Sequence, residues 1–185
     1  MHPDVLELLE FNKILEADTE LAVDKLNGCG KNEQDFYIRT YVRTVASWIE
    51  GQVYTNKQLI KGGNANWYQE LPLASQLYLH EQDWSISNSG NPIVKSKKIP
   101  TRKNLKALFS VCQELFDEYS VDFGDAGWSN VNTFYDIRDS LMHPIETDDV
   151  SPPLDEVLRA DNGRLWLREQ FTNIRESVSM KAKSA

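Results

Sequence analysis

Apolar residues recur at helical spacing along most of the chain. Val5, Leu8, Leu9 and Leu15 mark a first helix over about residues 3 to 27, and the NGCGKN stretch supplies its stop. A long second helix follows over 35 to 60. Ile38, Val42, Val45, Ile49 and Val53 form one stripe on it, while Arg39, Arg43, Glu50 and Tyr54 lie along another face. Gly62 and Gly63 end it, and Pro72 suits the first turn of a short third helix carrying Leu73 and Leu77. The one clear β pattern is DWSISNSGNPIVKSK, two short alternating runs around a Ser-Gly-Asn turn, read as an inserted hairpin.

Thr101 then caps a helix whose buried face is Leu105, Leu108, Phe109, Cys112, Leu115, Phe116 and Tyr119. SVDFGDAGWSN reads as a loop, and the helix after it buries Phe134, Ile137 and Leu141. The acidic connection ETDDVSPP leads to a last helix with Leu167, Phe171, Ile174 and Val178 as its inner stripe. The pattern predicts an all-α fold, with four or five helices long enough to pack as a bundle around a small inserted β-hairpin. It is read as a single domain over residues 1–180 with a frayed tail at 181–185.

Length and composition agree with one sizeable core: 185 residues, 41% of them hydrophobic. Cys29 and Cys112 are far apart, and the start MHPDVLELLE has no basic region leading into a long apolar core. No apolar run approaches the ~20 residues of a membrane-spanning helix. The expectation is a cytosolic protein with no membrane contact. Its net charge of −8 argues against coating nucleic acid through general electrostatics. Any RNA contact must be local, and Lys97, Lys98, Arg102 and Lys103 in the basic stretch 94 to 106 are the candidates. A solvated loop balancing an acidic chain is the stronger reading of that stretch.

Chemistry concentrates in FYDIRDSLMHPIE, residues 134 to 146. On the helical wheel Arg138 falls between Phe134 and Val131, inside the apolar face. A guanidinium cannot shed its proton there, so it needs an anion or a water-filled cleft. His143 precedes Pro144 and is pushed away from α geometry, which releases the backbone and lets the imidazole turn toward the same cleft. Together these groups suit phosphodiester chemistry on RNA. The 2′-hydroxyl must lose a proton, the leaving 5′ oxygen must gain one, and the phosphoryl charge must be held. Histidine titrates near neutrality, and arginine offers a fork to two phosphate oxygens. One histidine serves poorly as both acid and base, so a two-fold dimer would complete the site. The bland reading pairs Arg138 with Glu50 or another carboxylate and lets His143 cap the helix dipole. On spacing alone the bland reading is favoured.

Other groupings are weaker. Asp117, Asp122 and Asp125 lack the twelve-residue calcium pattern, and His2, His80 and His143 have no metal-ligand spacing, so no metal or cofactor is expected. Cys29 reads as a loop cysteine. The five tryptophans read mainly as core, and Arg164, Arg168 and Arg175 as a solvated face or an extension of an RNA path.

The combination of motifs carries a resemblance. IRDSLMHP resembles the R-x4-6-H signature of the HEPN superfamily, with Asp139 at the polar position after the arginine, and RTYVRTVASWIEG is similar to the long early helix that leads to a glutamate, here Glu50. The likeness covers about residues 33 to 145 in outline, with only the terminal motif specific. It implies an up-and-down helical bundle and a homodimer whose paired motifs form a metal-independent endoribonuclease site. Arg138 would bind the scissile phosphate, His143 would act as acid and base, Asp139 would orient a motif side chain, and Glu50 would support them. Such domains recur in toxin–antitoxin and phage-defence systems, so an RNA substrate and an antitoxin or defence-complex protein are the implied partners. One branch continues the motif as H-x-Y, whereas this chain reads His143-Pro144-Ile145. Some members only bind nucleotides or partners, so a non-catalytic binding subunit is the alternative.

Overall fold

The computed structural model describes residues 5–62 and 65–184. Its helices are α1 (Val5–Gly28), α2 (Gln34–Gly62), α3 (Ala65–Glu70), α4 (Leu73–Leu79), α5 (Thr101–Leu115), α6 (Ala126–Met142) and α7 (Leu154–Ser184). An antiparallel hairpin of β1 (Gln82–Ile86) and β2 (Pro92–Ser96) sits between α4 and α5, and a 3-10 turn (Thr147–Val150) follows α6. The chain is thus mostly helical with one small sheet, as its periodicity predicts. No helix among the described residues is long and apolar enough to cross a membrane.

Several boundaries differ from the sequence reading. Gly62 is the last residue of α2, and Gly63 lies outside the described residues. Thr101 is the first residue of α5 rather than its cap; Pro100 holds that place and makes no side-chain capping bond. Phe116 and Tyr119 are buried but lie beyond the end of α5. The helix α6 starts inside the expected loop, because the Asp125 carboxylate accepts the Gly127 N–H and caps it there. The segment read as a frayed tail stays helical to Ser184, with Lys181 Nζ donating to Leu115 O at 2.7 Å.

Contacts divide the chain into two compact units. The first holds residues 5–55 and 122–172, the second 56–121 and 173–184. In the first, the apolar stripes of α1, α2, α6 and α7 close on one another. Trp48 of α2 packs edge-on against Phe171 of α7, with ring centroids 5.8 Å apart. Tyr41 donates to Asp161 further up the same helix pair, so α2 and α7 run parallel. Arg164 and Arg168 pair with Glu20, and Arg168 reaches back to Glu16, so α7 runs antiparallel to α1. Arg168 is exposed, in keeping with a solvated face, whereas Arg164 is not. Arg164 is a buried cation held between Asp161 and Glu20. The helix α7 also runs antiparallel to α6, where Gly163 lies against the backbone at 130–131 and Trp166 against Gly127.

In the second unit, α5 buries Leu105, Leu108, Phe109 and Cys112, and Trp67 packs edge-on against Phe116. Lys57 has a side chain 1% exposed; its ammonium meets Glu81 Oε1 at 3.0 Å and sits 4.1 Å from the centre of the Tyr78 ring. Burial lowers its pKa from the ordinary lysine value, and the Glu81 bond opposes that shift. Glu81 itself, at the root of the hairpin, takes a left-handed φ of 53°.

The α6–α7 contact yields the first prediction. A Cβ on Gly163 would stand 2.6 Å from Val131 N and 2.7 Å from the Asn130 carbonyl carbon, both backbone atoms that cannot swing aside. Gly163→Ala should therefore lower the urea-unfolding free energy by about 1–3 kcal/mol. Gly30→Ala, with nothing within 4 Å, should stay within about 0.5 kcal/mol of wild type.

Candidate functional site

The site grows from the end of α6. Val131, Phe134, Ile137 and Leu141 of this helix are buried, and Arg138 interrupts the stripe with its side chain 29% exposed. Its Nη1 donates to Asp139 Oδ1 at 2.9 Å, and that carboxylate is itself 45% exposed, so the pair is open to water. Beside it lies a cavity of about 160 Å³ between α2 and α6. Arg138, Arg43, Ser47 and Glu50 bring polar groups to its wall, and Val42 and Leu141 bring apolar ones.

His143 is where α6 stops. Its φ of −134° and ψ of 55° leave the helical region, as a residue before proline must, while its N–H still donates to Asp139 O at 3.0 Å. The imidazole is exposed, and among the described residues it does not line the Arg138 cavity. The segment after it is tied down. Asp149 Oδ2 accepts the N–H groups of Ile145 at 2.7 Å and Glu146 at 2.9 Å, Arg39 of α2 donates to Val150 O at 2.9 Å, and Ser151 donates to Asp35 at 3.0 Å. These bonds fix where the chain leaves His143.

The structure therefore brings Arg138, Asp139 and Glu50 to one place and sets His143 just past its edge. Arg43 and Ser47 are additional members that the sequence reading did not assign a role. Their positions seven and three residues before Glu50 put them on its helical face, a signal available in the chain once α6 is known to cover that face.

The four basic candidates lie in the second unit. Lys97 is already paired, its Nζ 2.9 Å from Asp83 Oδ2, whereas Lys98 and Lys103 are exposed and Arg102 partly so. Of the tryptophans, Trp48, Trp67 and Trp128 are buried and Trp84 on β1 is exposed. Cys112 is buried, which pushes its thiol pKa up, and Cys29 donates to Leu26 O. Among the described residues no three acidic, histidine or cysteine side chains cluster as a metal site. Comparisons with family models, curated proteins and solved structures give no match to this chain.

Asp149 offers a test of the tether. Two backbone N–H groups, that of Glu146 and then that of Ile145, hold its carboxyl below the ordinary value of 3.8. A depressed carboxyl contributes its stabilisation in full above the ordinary value, and the contribution is lost as pH falls through the lower folded value. The Asp149 carboxyl should titrate by NMR below an exposed aspartate. Asp149→Ala should speed amide exchange at Ile145 and Glu146 at neutral pH while leaving the core of α6 protected.

Proposed function

We propose that this chain is a metal-independent endoribonuclease of the HEPN type, cutting RNA by attack of the 2′-hydroxyl at a site completed by a second copy. The observation that carries the reading is Arg138, a permanent cation on an otherwise buried stripe, open to solvent at the wall of a cavity. Asp139 engages one corner of a five-donor fork and orients it. In this reading the guanidinium receives the scissile phosphate and holds the charge that builds on its oxygens. The imidazole of His143 takes the proton of the 2′-hydroxyl or returns one to the 5′ oxygen, and the exposed His143 of a second copy performs the complementary transfer. Glu50 and Arg43 set the charge of the cavity around the phosphate.

The helix directions of the first unit support an up-and-down bundle. With α7 antiparallel to α1 and α6 and parallel to α2, these helices alternate in direction in chain order. An antitoxin or defence-complex partner belongs to the same reading. So does a cytosolic site of action, where RNA is met.

A second reading, a non-catalytic binding subunit, is favoured by the hairpin. Trp84 and Val94 pair across the strands and, with Ile86, are each more than half exposed, an apolar face suited to a protein partner.

Incubation of the purified protein with mixed RNA in EDTA separates the two. The nuclease reading expects products ending in a 2′,3′-cyclic phosphate and a 5′-hydroxyl. Arg138→Ala should slow cleavage by roughly 10²–10³-fold, as for loss of an oxyanion donor, and His143→Ala by about 10²–10⁴-fold, with folding intact in both. Cleavage that EDTA abolishes, or that survives both substitutions, points away from it.

A further inference from the structure

The Arg138 cavity has a neighbour. On the other side of Ser47 and Glu50, which line both, α1 and α2 form a larger, open groove of about 530 Å³ within the same unit. Gly51 lies at its floor. A Cβ there would press on Leu15 Cδ1 and stand 3.2 Å from Phe11 Cε1, the outer ends of two α1 side chains, so α1 lies close on α2 at this point. Phe11 and Tyr54 stand in its walls, 44% and 46% exposed, with Leu8 between the helices and the exposed carboxylate of Glu7 beside them. Its volume is within the range of small-ligand sites, about 300–1,000 Å³.

The two cavities differ in charge. Arg43 and Arg138 bring cations to the first, where Glu50 and Asp139 stand beside them, whereas the groove has aromatic walls, the carboxylates of Glu7 and Glu50 and, among the described residues, no cation in its lining. A phosphate is repelled from the groove and drawn to the arginines. A flat ring finds aromatic faces to stack on, and its N–H edge finds an acceptor. A carboxylate only accepts hydrogen bonds, and it matches best a base edge with two adjacent donors. Guanine has such an edge, in N1–H beside its amino group; adenine, cytosine and uracil do not.

We propose that the α1–α2 groove is a nucleobase subsite that takes a purine, guanine by preference, from a nucleotide whose phosphate lies at Arg138. The inference rests on the reading of Arg138 as a phosphate ligand and adds to it the substrate class: RNA cut beside a guanosine. Tyr54 supplies a stacking face, Glu7 reads the donor edge, and Ser47 and Glu50 mark the passage between base and phosphate.

Calorimetric titration of the full chain in EDTA with guanosine 3′-monophosphate and cytidine 3′-monophosphate tests it. Wild type should bind the guanosine nucleotide roughly tenfold or more tightly than the cytidine one. Tyr54→Ala should weaken both, Glu7→Gln should erase most of the preference, and Arg138→Ala should weaken both nucleotides while leaving the preference. Tyr54 and Glu7 are exposed, so neither change threatens the core, and circular dichroism checks this. Absence of saturable binding, equal affinity for the two bases, or affinities unmoved by Tyr54→Ala and Glu7→Gln would overturn the proposal. So would groove variants that alter sedimentation of the protein without altering nucleotide affinity, which would mark a protein-docking face. Cleavage assays on the same samples keep the two readings apart. Nucleotide binding with the stated preference but no RNA cleavage sinks the nuclease and keeps the subsite. Arg138-dependent cleavage that is indifferent to Tyr54 and Glu7 does the reverse.

Discussion

A guanidinium keeps its proton wherever a fold places it, and the first unit is arranged around that constraint at Arg138. Its helical neighbours Phe134, Ile137 and Leu141 are sealed, yet at Arg138 the stripe opens onto a cavity and the charge is shared with Asp139. A fully buried pair would carry a desolvation penalty that the attraction repays only with excellent geometry; this pair stays partly wet and avoids most of it. The contrast with Arg164 is instructive. That arginine is also on an inward face, but it is 6% exposed and held by Asp161 and Glu20 on two helices. One cation is locked into the structure, and the other stands at an opening.

The end of α6 is built by backbone chemistry rather than by packing. Pro144 turns His143 out of the helix, Asp149 gathers the next two N–H groups, and Arg39 ties the following 3-10 turn to α2. An exposed imidazole on an otherwise loose terminus would sample many positions. Here the attachment point is fixed on both sides, so the remaining freedom is that of the side chain.

Periodic stripes made the long helices legible in the chain, since Ile38, Val42, Val45 and Ile49, or Leu105, Leu108, Phe109 and Cys112, can be buried together only on a helix. The hairpin was legible for the complementary reason, alternation around a turn. What escaped were features without a period. Six residues of α3 are too few to show one, and the first turn of α6 was hidden because Asp125, rather than hydrophobicity, decides where it begins. Arg138 and Glu50 stand out in the chain, as does Asp139, but the cavity that Arg138 and Glu50 line depends on α6 meeting α2, a tertiary fact. The position of His143 outside that cavity depends on a side-chain direction that wheel geometry stops describing at the last helical residue.

The close approach at Gly163 has a consequence for how such a chain can diverge. Side chains in a core can be exchanged for others of similar volume with local repacking, so a helix spaced by side chains drifts as its neighbours change. Between α6 and α7 the spacing is set by one main chain resting on another. Lineages are then at liberty to vary the greasy residues nearby while the helix that bears Arg138 keeps its distance from α7, so the spacing is inherited more strictly than the residues around it.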